Sequence, residues 1–203
     1  MLQHWQDNRT NVKNTNFVRI PENNPPVVRK QTVMTEKEEK YRTLIPQIKA
    51  LIEGEPDIVA RMANAAAAVH GTFGFLWTGF YRVVPAAGPA ESPGSSELAL
   101  GPFQGPVACS RIAYGKGVCG TAWREAKTQV VYDVEQFPGH IRCSSAAKSE
   151  IVVPVFRTAA GNSGHQAPEK TVIAVLDIDS AALGTFDMTD AGYLEEVCRM
   201  ISA

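Results

Sequence analysis

The sequence is short of net charge and of long apolar runs. Its 203 residues include 20 Lys and Arg against 21 Asp and Glu, which gives a formal net charge of −1. A chain so evenly balanced has no electrostatic bias toward nucleic acid or cationic partners. No apolar run approaches the about 20 residues that span a bilayer, and the N-terminus lacks the apolar stretch of a secretory signal. We therefore expect a protein that binds neither nucleic acid nor a membrane.

Cysteine is also scarce, with four residues in the whole chain. Small secreted domains that are held together by disulfides use many more. The composition therefore favours a cytoplasmic protein whose thiols are reduced at rest. In such a protein we expect any disulfide to be transient and functional.

The first 33 residues differ in composition from the rest. They are rich in asparagine, contain three prolines and show no persistent helix or strand period. Residues 1–33 are therefore predicted to be a disordered or loosely packed N-terminal extension, and residues 34–203 a single domain. A transit peptide is the less favoured alternative, because such peptides lack the acidic residues that this segment contains.

From residue 35 onward the pattern predicts helices, then strands, then a final helix. Apolar side chains recur at helical spacing after Thr35, Asp57 is placed to cap a second helix, and the last helix starts near Asp187. A short helix is predicted over Val118–Ala126. Six stretches have strand character: Gly74–Val84, Glu97–Phe103, Val107–Ala113, Gln129–Tyr132, Glu150–Arg157 and Lys170–Asp177. This order predicts an α+β domain with a central antiparallel sheet of about six strands and helices on one face.

Three of the cysteines lie in short, distinctive segments. Cys109 is in FQGPVACSR, Cys119 in YGKGVCGT and Cys143 in GHIRCS. Positive charge beside Cys143, from Arg142 and His140, would lower the pKa of its thiol. Thiols that reach one another next to carboxylates are the parts of a thiol-based redox enzyme. Taken alone, Cys143 is equally well interpreted as an ordinary loop cysteine, and Cys109 is better interpreted as a buried strand residue.

Acidic residues accompany two of the predicted strands. Asp177 and Asp179 are two positions apart at a strand end, so their side chains point to the same face. Repulsion between them raises the proton affinity of one. Glu150 precedes an apolar run, where desolvation would raise its pKa and make it a candidate general acid. The alternative for the aspartates, favoured on spacing alone, is a polar turn after the strand.

Two aromatic residues lie on one face of the first predicted strand. Trp77 and Tyr81 share this face with Gly79, which would leave room for a ligand against the sheet. The alternative is a plain core, since aromatic residues at strand alternation usually pack there. Cys198, in the apolar stripe of the last helix, is interpreted as a packing residue.

Five longer blocks of sequence carry a family resemblance. They are, in chain order, FLWTGFYR, FQGPVACSRI, GKGVCGTAW, GHIRCSSAAKSEIVVPV and VLDIDS. With these blocks the chain resembles the free methionine-(R)-sulfoxide reductases, small cytosolic enzymes with a GAF fold, over most of Thr35–Ile201. The resemblance implies a GAF-like domain with helices on one face of the sheet and a ligand pocket on the other. A generic GAF domain would share the strand pattern but lack the three cysteines.

The resemblance also implies a reaction and the residues that perform it. Free methionine-(R)-sulfoxide would be reduced to methionine when Cys143 attacks the sulfoxide sulfur, becomes a sulfenic acid and forms a disulfide with Cys109. Cys119 can assist or replace Cys109 as the resolving cysteine. The acidic residues around the ligand would be Glu150, Asp177 and Asp179, and the aromatic wall would be Trp77 and Tyr81.

The resemblance implies partners as well. A thioredoxin-like dithiol protein would recycle the disulfide, no metal or organic cofactor would be needed, and the chain would form a homodimer and serve the oxidative stress response. The residues leave open which carboxyl protonates the sulfoxide oxygen. They also leave open whether Cys109 or Cys119 is the main resolving cysteine.

Two other functions are compatible with parts of the sequence. A GAF module that binds a ligand or senses redox state would form a disulfide without consuming a substrate. A structural zinc protein would need paired ligands two to four residues apart, whereas Cys109, Cys119 and Cys143 are separated by ten and twenty-four positions. The Gly-Lys-Gly turn at 115–117 lacks the spacing of a phosphate-binding loop, and no role is predicted for it.

Overall fold

A computed structural model describes residues 34–86, 96–141, 144–158 and 170–203, with the backbone alone at Thr158 and Lys170. The predicted N-terminal extension and Cys143 lie outside the described residues. Within them, no helix combines the length and hydropathy needed to cross a bilayer. The elements are α1 (Glu36–Ile52), α2 (Ile58–Phe73), β1 (Trp77–Pro85), β2 (Ser96–Gln104), β3 (Arg111–Ala113), α3 (Gly117–Glu125), β4 (Gln129–Val131), a 3-10 helix (Val134–Gln136), β5 (Ser149–Thr158), β6 (Lys170–Ser180) and α4 (Met188–Ser202).

The six strands form one antiparallel sheet in the order β3-β2-β1-β6-β5-β4. The predicted α+β class and six-stranded antiparallel sheet are therefore confirmed. The two longest strands, β5 and β6, pair along their whole length, from Ser149 opposite Ser180 to Thr158 opposite Lys170. This register determines which side chains meet on each face of the sheet.

Among the predicted strand boundaries that are wrong, two bear on the site. Strand β3 covers only Arg111–Ala113 rather than Val107–Ala113, because the chain leaves the sheet at Gly105, whose φ of +119° favours glycine. Strand β6 extends beyond Asp177 to Ser180. The aspartates at 177 and 179 therefore lie inside a strand, and the alternative of a polar turn is wrong.

Helices cover both faces of the sheet. Alternate residues of β5 and β6, such as Ile151 and Leu176, belong to an apolar cluster with α1, α2 and α4. Each fully buried Ile or Leu contributes about 1.5–3 kcal/mol. Helices α1, α2 and α4 pack on one face of the sheet, as predicted. Helix α3 packs on the opposite face, where Val118 and Ala122 join a second cluster with Tyr81.

Buried polar contacts join α1 to the start of α4. Asp190 is fully buried. Its carboxylate accepts hydrogen bonds from the Tyr41 hydroxyl at 2.9 Å and from the backbone N–H of Asp187 at 2.8 Å, together with one from Lys37 Nζ. The contact with the Asp187 N–H completes a capping box at the start of α4. These contacts hold the first and last described helices together over the core.

Asp190→Ala should lower the free energy of unfolding by about 2 kcal/mol, because it leaves the buried Tyr41 hydroxyl without its acceptor. Urea denaturation followed by circular dichroism measures the change. Glu36→Gln, which removes an exposed ion pair with Lys40, is the control and should keep the wild-type midpoint. Equal midpoints for Asp190→Ala and wild type would contradict a stabilising role for this junction.

Candidate active site

The acidic residues singled out in the sequence lie together on one face of the sheet. Asp179 of β6 is paired with Trp77 of β1 on one side and with Glu150 of β5 on the other. Asp177, two residues earlier, is paired with Gly79. Cross-strand neighbours on one face have Cβ atoms about 4.5–5.5 Å apart. The register therefore brings three carboxyl groups and an aromatic ring into one pocket.

Burial raises the pKa of all three carboxyl groups. It is the main cause for Glu150, whose pKa lies well above its usual range, with the charges of Asp177 and Asp179 adding to it. Burial raises the pKa of Asp177 to about 6. Burial and the charge of Asp177 raise the pKa of Asp179 to about 8. At neutral pH, Asp179 therefore mostly holds a proton and Asp177 is mostly ionised, and burial favours the protonated form of Glu150.

One oxygen in this group lacks a hydrogen-bond partner. The carboxyl of Asp177 interacts with the Cys119 thiol and with Glu150, yet its Oδ1 atom is buried and receives no hydrogen bond from a described residue. A buried carboxylate oxygen without a donor is costly in free energy. A ligand that donates a hydrogen bond to Asp177 would remove this cost.

Cys119, on α3, faces the carboxyl groups. Its Sγ lies 4.0 Å from Glu150 Oε1. Burial and the negative charges of Asp177 and Glu150 raise the pKa of this thiol well above its ordinary value. Cys119 is therefore protonated at neutral pH and a weak nucleophile in this state.

The same residues are a candidate for metal binding. Donor atoms of Cys119, Glu150 and Asp177 lie within 4.8 Å of one another. Structural zinc sites are built mainly from cysteine and histidine. One thiol with two carboxyls does not match that set, so the structure gives the zinc-protein alternative no support from this trio.

The aromatic pair forms part of a stack on the same face. The ring centroids of Trp77 and Tyr81 are 5.8 Å apart, and those of Trp77 and Phe103 are 5.4 Å apart. A Cβ atom at Gly79 would collide with the Trp77 ring and with Phe103 Cβ. The space that the sequence analysis assigned to a ligand over Gly79 is thus filled by the Trp77 ring itself.

Cys109 lies in the irregular connection between β2 and β3, residues 105–110, which we term the Cys109 segment. Cys109 is disulfide-bonded, whereas Cys119 and Cys198 are free thiols. A crevice with about 270 Å³ of empty space, part of it open to solvent, brings part of this segment next to the carboxyl pocket. It is lined by Trp77, Tyr81, Pro106, Val107, Ala108, Ser144, Asp177 and Asp179. Cys143 is outside the described residues, so its place in the site remains a prediction.

The N-terminus of α3, for which no role was predicted, lines the pocket that contains the three carboxyl groups. This pocket has about 390 Å³ of empty space, part of it open to solvent, and Lys116, Gly117 and His140 contribute to its wall. Lys116 makes no side-chain capping hydrogen bond, so N–H groups of the first helical turn stay available to an anion. The signal was present: a glycine-flanked turn directly before a helix is typical of an anion site.

Comparison with known proteins identifies the family, although no family model matches the sequence. Over 171 residues the chain is 37% identical to the free methionine-R-sulfoxide reductase of Saccharomyces cerevisiae. The aligned region covers 82% of this chain and 86% of that protein. The chain belongs to the free methionine-R-sulfoxide reductase family. The predicted family is confirmed.

Two further comparisons agree with this assignment and with the GAF fold. The chain is 47% identical over 165 residues to GAF domain-containing protein A of Dictyostelium discoideum, over 81% of this chain and 92% of that protein. The structure matches the free methionine-R-sulfoxide reductase of Neisseria meningitidis, solved in complex with its substrate. That match has a TM-score of 0.69 and 44% identity, over 84% of this chain and 90% of that one.

Gly79→Ala should destabilise this member of the reductase family by about 1–3 kcal/mol, because the added methyl group overlaps the Trp77 ring and forces the stack apart. Urea denaturation measures the loss. Gly71→Ala, in α2, is the matched control, since a Cβ atom there meets nothing within 4 Å and alanine favours the helix. If the two variants had equal midpoints, the proposed overlap at Gly79 would be wrong.

The stability of this reductase-family domain should fall as pH rises from about 4 to about 8. Unfolded aspartate titrates near pH 3.9, whereas Asp177 and Asp179 titrate at about 6 and about 8 in the folded state. Between these values the native state holds protons that the unfolded chain has released, so the free energy of unfolding decreases with pH. Asp179→Asn should reduce the loss of unfolding free energy between about pH 6 and about pH 8, where Asp179 titrates in the folded state.

Urea midpoints near pH 5 and near pH 8 test this expectation. Glu39→Gln, which changes an exposed carboxyl on α1, is the control and should keep the wild-type dependence. A wild-type midpoint that rises across this range would contradict the raised pKa values.

Proposed function

We propose that this chain reduces free methionine-(R)-sulfoxide to methionine by thiol chemistry. One observation carries the proposal: two buried carboxyls, a half-buried one and the Cys119 thiol share a pocket beside an aromatic stack and the disulfide-bonded Cys109. These parts supply a proton, a cation acceptor and a second sulfur. The chain also belongs to a family in which the Neisseria meningitidis enzyme binds its substrate on the same fold.

The first proposed step is attack by the Cys143 thiolate on the sulfoxide sulfur. Attack forms a transient bond between the Cys143 sulfur and the sulfoxide sulfur. The oxygen, with one added proton, then transfers to the Cys143 sulfur as its bond to the substrate sulfur breaks, and the sulfur–sulfur bond breaks to release methionine and leave a Cys143 sulfenic acid. His140 lines the pocket, and Arg142 directly precedes Cys143 in the sequence. Positive charge from these two residues would favour the Cys143 thiolate. Cys119 is a poor candidate for this step because its thiol is protonated and buried.

The second proposed step is closure of a disulfide between Cys143 and Cys109 with loss of water. Cys109 is already disulfide-bonded, and the other described cysteines are free thiols. Ser144, next to Cys143 in sequence, lines one crevice with Pro106–Ala108 of the Cys109 segment. Both observations support Cys109 as the main resolving cysteine and leave Cys119 as a substitute.

We assign the carboxyl groups from their protonation. Burial favours the protonated form of Glu150, which is the proposed proton donor to the sulfoxide oxygen. Asp177 has the lower pKa of the two aspartates and a buried oxygen without a donor, so it is the proposed acceptor for the substrate ammonium. The first turn of α3, with Lys116, is the proposed site for the substrate carboxylate.

The remaining parts of the cycle lie outside the chain. We propose that a thioredoxin-like dithiol protein reduces the disulfide by exchange, that the protein works as a homodimer, and that it acts in the cytoplasm, where dithiol reductants keep thiols reduced.

A coupled assay with thioredoxin, thioredoxin reductase and NADPH tests the function. We expect NADPH consumption that depends on free methionine-(R)-sulfoxide and is much weaker with the S epimer or with a sulfoxide-containing peptide. A ligand-binding or redox-sensing GAF module would give no such consumption. That result would overturn the proposal.

Cysteine variants test the assigned steps in the same assay. Cys143→Ser should abolish turnover, whereas Cys109→Ser should form about one methionine per enzyme and then stall as the sulfenic acid. Cys198→Ser, on the far side of the sheet, is the matched control and should keep turnover. Sustained turnover by Cys109→Ser would transfer the resolving role to Cys119.

A further inference from the structure

We propose that the Tyr81 hydroxyl positions the resolving cysteine, Cys109, for disulfide formation. The proposal rests on the thiol cycle described above and adds a residue to it. The family resemblance places Tyr81 in the aromatic wall, a role that depends on the face of the Tyr81 ring. The hydroxyl group is a separate feature, and the structure gives it a separate contact.

The Tyr81 hydroxyl donates a hydrogen bond to the backbone carbonyl of Cys109 at 3.1 Å. Tyr81 is 1% exposed, so water does not compete for this bond. Its backbone lies in the middle of β1, between β2 and β6. The contact thus joins a rigid part of the sheet to the irregular chain that carries the thiol.

The Cys109 segment is held at both of its ends. Near its start, Trp77 Nε1 donates to the Pro106 carbonyl at 3.1 Å, and Gly105 passes so close to the backbone of Leu76 that a Cβ atom would lie 2.7 Å from its carbonyl oxygen. Near its end, the Leu100 N–H donates to the Ser110 carbonyl at 3.0 Å. Tyr81 adds the contact at Cys109 itself.

Between these anchors the segment is only partly covered. Val107 is 87% exposed, whereas Ala108 and Cys109 are half-buried against the second apolar cluster, and residues 107–109 form no strand. In the reduced enzyme, loss of the Tyr81 bond would remove one restraint on the Cys109 carbonyl. Loops with few buried contacts open locally at low free-energy cost, so the bond restricts the positions that Cys109 can sample.

The step that needs this restriction is the condensation of two sulfurs. The Cys109 sulfur attacks the Cys143 sulfenic acid, the S–S bond forms, the S–O bond breaks, and the oxygen leaves as water with the thiol proton. The Cys109 sulfur is oxidised and the sulfenic sulfur is reduced, so no other oxidant is needed. Disulfides form only within a narrow range of Cα separations and angles, and a misplacement of about 1 Å costs rate.

Tyr81→Phe separates the two roles, because it keeps the ring and removes only the hydroxyl. The reduced variant is mixed with excess free methionine-(R)-sulfoxide and quenched at successive times. Methionine formation, free thiol loss and dimedone-trapped sulfenic acid are measured. Disulfide formation should slow about tenfold, so the ratio of trapped sulfenic acid to methionine formed should rise above that of the wild type.

Tyr41→Phe is the matched control, since it also removes a buried hydroxyl hydrogen bond but on the opposite face of the sheet. It should leave thiol loss at the wild-type rate. Wild-type thiol loss in Tyr81→Phe, or equal slowing in both variants, would overturn the positioning role. Absence of a methionine burst in the wild-type protein would instead overturn the proposed function on which this inference rests.

Discussion

The confinement of three carboxyl groups to one pocket, two of them buried and one half-buried, is the constraint on which the rest of the site depends. Glu150, Asp177 and Asp179 cannot all be ionised there, because their mutual repulsion and the loss of hydration would cost too much free energy. The sheet register enforces this proximity through the pairing of Glu150 with Asp179. Burial, together with the charges of Asp177 and Glu150, also raises the pKa of the Cys119 thiol.

Apolar packing on the other face of the same strands offsets the free-energy cost of this acidic pocket. Strand alternation that directs Asp177 and Asp179 into the pocket directs Leu176 and Ile178 into the core under α1, α2 and α4. Each strand therefore contributes both to the acidic pocket and to its support. A slip of one residue in β6 would exchange the two faces, so the apolar core also maintains the geometry of the site.

Part of this site could be predicted from the sequence. The pairing register of the strands and the side-chain rotamers could not. The spacing of Asp177 and Asp179 predicts a shared face, because alternation is a local property of a strand. That Glu150 joins them depends on how β5 pairs with β6, which the polar connection between the strands does not reveal. The orientation of the Trp77 ring over Gly79 depends on its packing against Phe103 of β2, and the late start of β3 follows from contacts of the Cys109 segment with β1.

The buried location of Glu150 has a consequence for how protons circulate during turnover. In the proposed cycle, Glu150 gives one proton to the departing oxygen, and Cys143 releases one when its thiol ionises after each reduction. Condensation of the sulfenic acid with Cys109 neither consumes nor liberates any. An internal transfer from Cys143 to Glu150 therefore restores the starting state, so the cycle needs no net proton from bulk solvent.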